Sequence, residues 1–391
     1  MTVAPRVLIA PDKFKGTLSA SEAAQAIADG LLAGWPDANM TLMPFADGGE
    51  GTVSAAIAAG ARAQSTVVTG PLGKAVDAQW AVLGSSAVLE MAQSSGLHLV
   101  DPNPDNALMA HTEGTGELIR AALDLGVTRI VLGVGGSATT DGGLGALRAL
   151  GARFWDQGGD ALTGGGGSLR KVSRVDLRGL DPRLRGVELI LCSDVSNPFV
   201  GPTGAAAVFG PQKGADPRTV RELDAGLRRF AAVLADATGV DLVKQQWGGS
   251  GGGLAGGLHA AFGARSANGV DVVADLLGLD SMLAANDIVI VGEGSMDLQS
   301  TMGKTPVGVA RRAAVAGIPA AAVVGRNLLE TDSLPLDNII AITAAVDHAP
   351  TAEAAVLEPA RWTTTAARAL VNDLSSLGAG TGLAISRRHN G

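Results

Sequence analysis

The chain of 391 residues is long enough for two or three domains, and its 46% hydrophobic and 17% charged residues are a normal globular balance. The net charge of −8, from 30 basic and 38 acidic residues, argues against nucleic acid as a partner. A single cysteine, Cys192, excludes an intramolecular disulfide and a cysteine-based zinc site, and the absence of a long apolar run predicts no membrane span and a cytoplasmic location.

The N-terminal segment alternates between strand and helix patterns. An apolar run at 6–11 predicts a buried strand, and the segment 19–35, which opens with a Ser-x-x-Glu capping box, predicts an amphipathic helix. A second strand at 41–46 and a second helix at 49–60 follow. Two strand–loop–helix units in succession predict a parallel sheet, which binds ligands at the carboxyl ends of its strands.

From about residue 64 the pattern changes to consecutive strands joined by a glycine turn, which predicts an antiparallel piece. The elements predicted after it are helices at 113–126, 141–151 and 217–239, strands at 129–135 and 187–194, a glycine-rich stretch at 248–264, and a strand-and-helix pair around 270–284.

The C-terminal part returns to the pattern of the first residues. Its predicted elements are a strand at 287–293, a helix at 305–316, strands at 320–325 and 339–344, and a last helix at 359–377 before a frayed SRRHNG terminus. Because matching patterns stand at both ends, we predict that the ends pair in one sheet. The predicted domains are 1–70 with 286–391, and an inserted domain at 71–285.

Seven short runs place glycine beside a carboxylate, a hydroxyl or a lysine at the ends of predicted strands. They are Ala10–Gly16, Phe45–Thr52, Glu113–Leu118, Gly133–Gly143, Cys192–Pro198, Gly210–Ala215 and Val291–Asp297. Glycine lets backbone amides approach an anion, and the neighbouring side chains can bind metal, protons and phosphate. The set indicates an enzyme that acts on small polyanionic ligands.

The first two runs carry candidate substrate and metal residues. Lys15 precedes the free amides at the start of a helix, which predicts an anion site. In the second run two carboxylates stand among three glycines, and Asp47 is a candidate Mg²⁺ ligand. The competing interpretation of both runs is a solvated loop and a tight turn.

Two further glycine motifs are weaker. Gly133–Ala138 matches a loose form of the dinucleotide fingerprint, and Ser137 and Thr139 within and after it suit phosphate oxygens. Residues 302–305 match the end of a P-loop, but the first glycine of that motif is missing. Lys304 therefore stays a candidate phosphate contact only as a point charge.

Three carboxylates at strand ends are candidates for acid–base chemistry: Asp194, Glu293 and Asp297. Partial burial at such positions shifts a carboxyl pKa toward useful values. The competing interpretation is that each caps the next helix. The histidines show no metal-ligand spacing.

Together these strings resemble the type I glycerate kinase family from Ala10 to about Gly325. The matching strings are APDKFKGTLSASEAA, FADGGEGT, LEMAQSSGL, EGTGELI, GVGGSATTDGG, SDVSNPFVGPTGAAAVFGPQKGA and GEGSMDLQSTMGKTPVGVA. The resemblance implies ATP-dependent phosphorylation of D-glycerate, usually at the 2-hydroxyl. It also implies a discontinuous Rossmann or flavodoxin-like parallel-sheet domain with an inserted second α/β domain, and an active site in the cleft between them.

Single residues depart from the family's strings. Ser295 stands where arginine is usual, Met296 replaces isoleucine, Thr140 replaces asparagine and Lys13 replaces serine. An arginine can hold a carboxylate or phosphate through two hydrogen bonds. We therefore expect Ser295 to bear on substrate preference and catalytic strength more than on fold.

The resemblance and the motifs give a set of expected roles, with Asp194 as the general base for the glycerate hydroxyl. The predicted catalytic residues are Asp194, Asp47, Glu293 and Asp297, and Asp47 and Asp297 are the predicted Mg²⁺ ligands. The predicted nucleotide-binding residues are Gly135, Ser137, Thr139, Lys213, Gly251, Gly252 and Lys304. The predicted substrate-binding residues are Asp12, Lys15, Gly48, Gly49, Ser94 and Ser95.

The expected ligands are D-glycerate, ATP and Mg²⁺, with no nucleic acid and no membrane as partners and a homodimer left open. Two alternatives remain at this point. One is an NAD(P)-dependent hydroxy-acid oxidoreductase, based on Gly133–Ala138, and the other is a non-catalytic metabolite-binding relative, based on Ser295.

Overall fold

The computed structural model describes residues 4–298, 300–329 and 336–381, which form a mixed α/β protein. Its strands are β1 (Arg6–Pro11), β2 (Asn39–Leu42), β3 (Arg62–Thr69), β4 (Ala75–Leu83), β5 (Ser86–Glu90), β6 (Arg129–Gly133), β7 (Arg153–Asp156), β8 (Val172–Asp176), β9 (Glu188–Cys192), β10 (Arg265–Ala267), β11 (Ile288–Gly292), β12 (Ser295–Met296), β13 (Ala320–Val324), β14 (Arg326–Asn327) and β15 (Ile339–Ala344).

The α-helices are α1 (Ala20–Gly34), α2 (Thr52–Ala58), α3 (Ala92–Ser95), α4 (Pro104–Met109), α5 (Glu113–Asp124), α6 (Leu144–Ala149), α7 (Ala205–Phe209), α8 (Pro217–Thr238), α9 (Leu254–Phe262), α10 (Gly269–Leu277), α11 (Leu279–Ala284), α12 (Thr305–Ala316), α13 (Ala345–His348), α14 (Ala352–Leu357) and α15 (Pro359–Thr381). None of the helices in the described ranges combines the length and the apolar character that crossing a bilayer requires.

The chain divides into two compact units. The first falls within Met1–Asp47, Ser54–Ala59 and Val270–Gly391, and the second comprises Gly48–Val53 and Gly60–Gly269. The predicted boundaries differ from these at both ends of the insertion. The strand β3 pairs with β4 in the second unit's sheet, and the helices α10 and α11 lie in the first unit.

The first unit contains a parallel sheet of order β15-β13-β11-β1-β2. Side chains alternate along β1: Val7 and Ile9 belong to the core formed with α1 and α15, whereas Leu8 and Ala10 belong to the core formed with α10, α11 and α12. Helices therefore cover both faces, which explains why β1 is an uninterrupted apolar run. The prediction that the two ends of the chain pair in one parallel sheet is confirmed.

The connections of this sheet reverse direction between β1 and β11. From β1 the chain moves outward to β2, whereas from β11 it moves outward the other way to β13 and β15. Such a switch point leaves a crevice at the carboxyl ends of the two central strands, where open α/β sheets bind ligands. The amide of Asp12, just after β1, donates to the carbonyl of Gly292 at the end of β11 over 2.8 Å.

The second unit contains a six-stranded sheet of order β10-β9-β6-β5-β4-β3. The pairs β3–β4 and β4–β5 are antiparallel, and β5, β6, β9 and β10 are parallel. The predicted antiparallel piece is confirmed. Its core combines aliphatic with a few aromatic residues, among them Phe154 and Phe230, whose ring centroids are 5.6 Å apart.

Two predicted strands differ from the structure. The strand predicted at 41–46 ends as β2 at Leu42, yet Met43 and Phe45 still donate to Ile9 and Pro11 over 2.8 Å. Pro44 lies between these two donors, and a missing amide is tolerated there because β2 is an edge strand. The strand predicted near 270 is wrong, because those residues form α10, and the strand is the shorter β10 before it. The predicted SRRHNG terminus lies outside the described residues.

Candidate active site

A group of four carboxylates follows β1, β2 and β11 in the first unit. Asp12 comes one residue after β1 and Glu293 one residue after β11, at the switch point of the sheet. The Oδ2 atom of Asp12 accepts a hydrogen bond of 2.7 Å from the Thr305 hydroxyl at the start of α12, and its Oδ1 accepts 2.6 Å from the Lys13 amide. The strands and α12 thus hold Asp12 in one orientation.

The carboxylates of this group influence one another electrostatically. Burial, reinforced by the charge of Asp47, raises the pKa of Asp12 to about 6. Burial is also the main cause that raises the pKa of Glu293 to about 7, and the charges of Asp12 and Asp297 add to it. A hydrogen bond from Ser300 and the charge of Lys304 oppose this shift. Asp12, Asp47, Glu293 and Asp297 therefore form one coupled acid cluster.

Glu293 is only 8% exposed, and among the described residues its Oε1 atom has no hydrogen-bond partner. Asp297 and Ser300 hold each other's backbone: the Ser300 amide donates to Asp297 Oδ1 over 3.2 Å, and the Asp297 amide donates to Ser300 Oγ over 3.1 Å. This turn places Lys304 at the N-cap of α12.

The acid cluster fits a hard divalent cation. Its donors are carboxylate oxygens, which Mg²⁺ prefers. A dication would also give the buried Oε1 of Glu293 a partner and reduce the repulsion between neighbouring carboxylates such as Asp12 and Asp47. Over the described ranges no three His, Cys, Asp or Glu side chains already stand together as a ready metal site. Mg²⁺ usually needs only one or two carboxylates, with water and substrate phosphates completing its shell.

In the second unit, a buried lysine organises the loop that follows β6. Lys213 is 2% exposed, and its Nζ donates 2.9 Å to Ser137 Oγ and 2.6 Å to the Thr139 carbonyl. Burial lowers the pKa of Lys213 to about 7, an effect opposed by the charge of Asp141. The structure thus brings together three of the predicted nucleotide-binding residues, with the lysine beneath the loop.

Asp141 is fully buried and completes this arrangement. Its Oδ2 accepts from the amide and hydroxyl of Thr112 over 2.9 and 2.8 Å and from the Gly145 amide over 3.1 Å, and its Oδ1 accepts from the Gly143 amide over 3.1 Å. These bonds fasten α5 to the start of α6. Nearby, the hydroxyls of Thr139 and Thr140 are buried with no partner in the part of the chain that the structure describes.

Glu90 is a site residue that the sequence interpretation missed. It ends β5, is 2% exposed, and its Oε1 accepts from the amides of Gly51 and Val53 over 3.0 and 2.7 Å. A buried carboxylate thereby fixes the loop that carries the predicted residues Gly48 and Gly49. Its position at the end of an apolar strand, within LEMAQSSGL, is the signal that could have identified it.

The glycines of this unit serve close packing. A Cβ at Gly48 would lie 2.7 Å from the Cβ of Cys192, and a Cβ at Gly133 would lie 2.5 Å from the Gly48 carbonyl oxygen. Gly252 has a φ of +69° and packs on the backbone of Thr139, and Gly251 packs on Met91. Gly135 is more open, since a Cβ there would meet only Gly49, at 3.4 Å.

The remaining predicted residues are placed as follows. Ser94 and Ser95 are fully buried, and their hydroxyls lie 3.0 and 2.9 Å from the hydroxyl of Thr115. Asp194 is exposed, so the partial burial expected of it is not found. Lys15 is exposed beside a cavity of the first unit. The roles assigned to these residues stay predictions.

Acidic side chains lie at the switch point of the first unit's parallel sheet, and glycine-rich loops follow the parallel strands of the second unit's mixed sheet. These features define an α/β enzyme that handles small anionic ligands. The model of the glycerate kinase family matches residues 7–375. The chain belongs to this family.

Individual relatives agree with the family. The chain is 46% identical to glycerate 2-kinase of Escherichia coli K12, over 78% of this chain and 81% of that protein. It is 42% identical to glycerate kinase of Bacillus subtilis strain 168, over 93% of this chain and 96% of that protein. A crystal structure from Salmonella typhimurium LT2, assigned provisionally as glycerate kinase 2, matches with a TM-score of 0.82 and 40% identity, covering 96% of this chain and all of that one.

Proposed function

We propose that this protein is a glycerate kinase that transfers the γ-phosphoryl group of ATP to the 2-hydroxyl of D-glycerate. Family membership and the 46% identity to a glycerate 2-kinase support the reaction and the position of transfer. The observation that carries the proposal is the acid cluster at the switch point of the first sheet. The oxidoreductase and the non-catalytic relative are not favoured by the family assignment.

Phosphoryl transfer needs a positioned hydroxyl, charge neutralisation and exclusion of water. Asp12 and Glu293 are suited to accept the hydroxyl proton, because burial raises the pKa of each toward neutrality, where a general base works well. We keep Asp194 as the predicted alternative base. The predicted placement of the active site in a cleft between two domains stays a prediction.

Mg²⁺ is the expected companion of ATP, and we propose that Asp47 and Asp297, the two carboxylates predicted for this role, would hold it. When bound, it would neutralise charge on the phosphates. Lys304, at the N-cap of α12, brings a positive charge and the free amides of a helix start to the same cluster. The chain's own residues thus supply both the carboxylates and a cationic helix end at one edge of the sheet.

The test is ATP consumption with D-glycerate, followed by ³¹P NMR of the product. We expect 2-phosphoglycerate from the native chain. Glu293→Gln should lower kcat by about 10²–10⁴, the usual contribution of a general base, while Asp194→Asn serves as the competing variant. Loss of turnover in Asp194→Asn with near-normal turnover in Glu293→Gln would move the base to Asp194. A 3-phosphoglycerate product would contradict the proposed position of transfer.

A further inference from the structure

A cavity of about 220 Å³ lies at the carboxyl edge of the first unit's sheet. One side is lined by residues of the loops that follow β1, β11 and β13, and the other by α13, α14 and the first turns of α15. Sites for drug-sized ligands measure about 300–1,000 Å³, so this cavity admits a small molecule or one group of a larger one.

The cavity is cationic. Lys15 and Arg326 line it, and among its described lining residues there is no acidic side chain. Within 4–298, 300–329 and 336–381, neither cation has an ion-pair or hydrogen-bond partner for its side chain. By contrast, Arg311 and Arg312 of the same unit bind carboxylates. Two unneutralised cations in a concave space favour an anion.

Backbone contacts fix the positions from which these two side chains extend. Arg326 stands in register with Ser295 in the parallel pair of β12 and β14, and its amide donates 3.1 Å to the Gly294 carbonyl. A Cβ at Gly294 would lie 3.0 Å from the Lys15 amide nitrogen, so the loops carrying Lys15 and Arg326 both pack against Gly294, which lies in the loop after β11. Such preorganisation lowers the cost of ordering the site when a ligand binds.

A buried hydroxyl in the lining lacks a partner. Thr363 of α15 is 0% exposed and lines the cavity, and its Oγ1 atom makes no hydrogen bond to any residue the structure describes. An unsatisfied buried hydroxyl is costly, and an oxygen-bearing ligand would supply the missing bond. The neighbouring wall is apolar, with Ala345, Val346 and Ala355. The lining therefore suits an oxyanion attached to a short carbon chain.

We propose that this cavity is the subsite for the carboxylate of the hydroxy-acid substrate, bound by Arg326 and Lys15. The inference deepens the proposed function and rests on it, since D-glycerate is the acid concerned. Lys15 follows Asp12 by three residues and Ser295 follows Glu293 by two, so one end of a three-carbon acid is bound next to the carboxylates that act on its hydroxyl.

The experiment compares Arg326→Gln with Arg368→Gln, which removes an exposed arginine of α15 outside the cavity. We expect Arg326→Gln to raise KM for D-glycerate about 10- to 100-fold, the loss of a charge-assisted hydrogen bond, and to leave KM for ATP unchanged. With D-glyceramide, a neutral analogue, the same variant should change kcat/KM little. Arg326→Lys should recover part of the affinity, because it restores the charge without the planar fork.

Two kinetic results would overturn the proposal. If Arg326→Gln raises KM for ATP and leaves KM for D-glycerate unchanged, the cavity binds a nucleotide phosphate instead. If Arg326→Gln and Arg368→Gln have the same kinetics, the cavity binds neither substrate through Arg326. Calorimetric binding of D-glycerate and inorganic phosphate to the native chain and Arg326→Gln decides the subsite without turnover. If the native chain fails to phosphorylate glycerate, the proposed function falls. D-glycerate binding that depends on Arg326 would still support the subsite, and binding of phosphate alone would refute it.

Discussion

Lys213 shows at the scale of one residue how burial changes protonation. Its ammonium lies beneath the loop after β6 and donates to Ser137 and Thr139, with Asp141 as the neighbouring negative charge. A cation removed from water loses solvation, which one nearby carboxylate only partly offsets. The buried lysine therefore lowers the free energy of unfolding by an amount that depends on pH.

This cost predicts a pH-dependent stability. The folded pKa of Lys213, about 7, lies below its ordinary 10.5, so between these values the unfolded chain binds more protons than the folded one. The free energy of unfolding consequently rises with pH in that window, by at most about 1.4 kcal/mol per pH unit. In urea titrations at several pH values across it, Lys213→Met should lose this rise.

The control is Lys74→Met, which removes an exposed lysine of the same unit. Its stability should follow the native pH profile. Parallel profiles for Lys213→Met and the native chain would contradict the assignment of the pH dependence to Lys213.

Individual site residues were predictable to different degrees. Asp12, Asp47 and Glu293 could be found because each follows a recognisable apolar strand, and strand ends meet at one edge of a parallel sheet. Glu90 and Asp141 were harder, since a carboxylate that accepts backbone amides looks in sequence like any other acid. The exposure of Asp194 depends on where the loop after β9 turns, which composition does not specify.

At the scale of elements, glycine sets how closely loops approach one another. Gly252 combines a positive φ with a position where a side chain would overlap the backbone of Thr139. Gly263, at the end of α9, has a similar φ of +80° but open space around it. A substitution at Gly263 therefore measures backbone strain alone, whereas the same substitution at Gly252 adds the overlap with a neighbouring loop.

We predict that Gly263→Ala costs about 1–2 kcal/mol, the strain of a left-handed backbone. Gly252→Ala should cost more than about 4 kcal/mol, because the overlap with Thr139 is added to the same strain. Thermal unfolding of both variants checks this difference. Similar losses of Tm in the two variants would show that the loops of Gly252 and Thr139 can move apart without a further loss of stability.

Pairings between distant loops were beyond sequence interpretation. The sequence shows that Ser295 departs from the glycerate kinase strings, which usually carry arginine there. It does not show the strand register that places Arg326 beside Ser295. The strand β13 and the helix α12 separate the two positions in the chain. The helices α12 and α15 could be predicted because each has a proline within its first two residues and keeps a helical apolar period.

At the scale of the whole molecule, the chain builds separate cores for its two units. Leu8 in β1 lies in a core of the first unit, and Leu132 in β6 lies in the core of the second, each fully buried. The order of predicted strands and helices indicated two sheets. It could not locate the residues at which the chain passes from one unit to the other, because glycine-rich turns occur both at the boundaries and within each unit.

The matched truncations Leu8→Ala and Leu132→Ala test this division. Each should cost about 2–5 kcal/mol in its own unit. Hydrogen exchange followed by mass spectrometry should show faster exchange in β1, β11 and β13 for the first variant and in β5, β6 and β9 for the second. Faster exchange throughout the chain in either variant would indicate that the units unfold together.

The pairing of β1 with β11 has a consequence for synthesis on the ribosome. Arg6 and Asp287, which join at the base of these strands, are 281 positions apart, and the whole second unit is made between them. During synthesis β1, which is apolar on both faces, therefore stays without its partner β11 until the second unit has been made. Contacts so far apart in sequence form slowly, and an unpaired apolar strand invites association with other chains. A nascent chain arrested before β11 should accordingly depend on chaperones far more than the completed protein does.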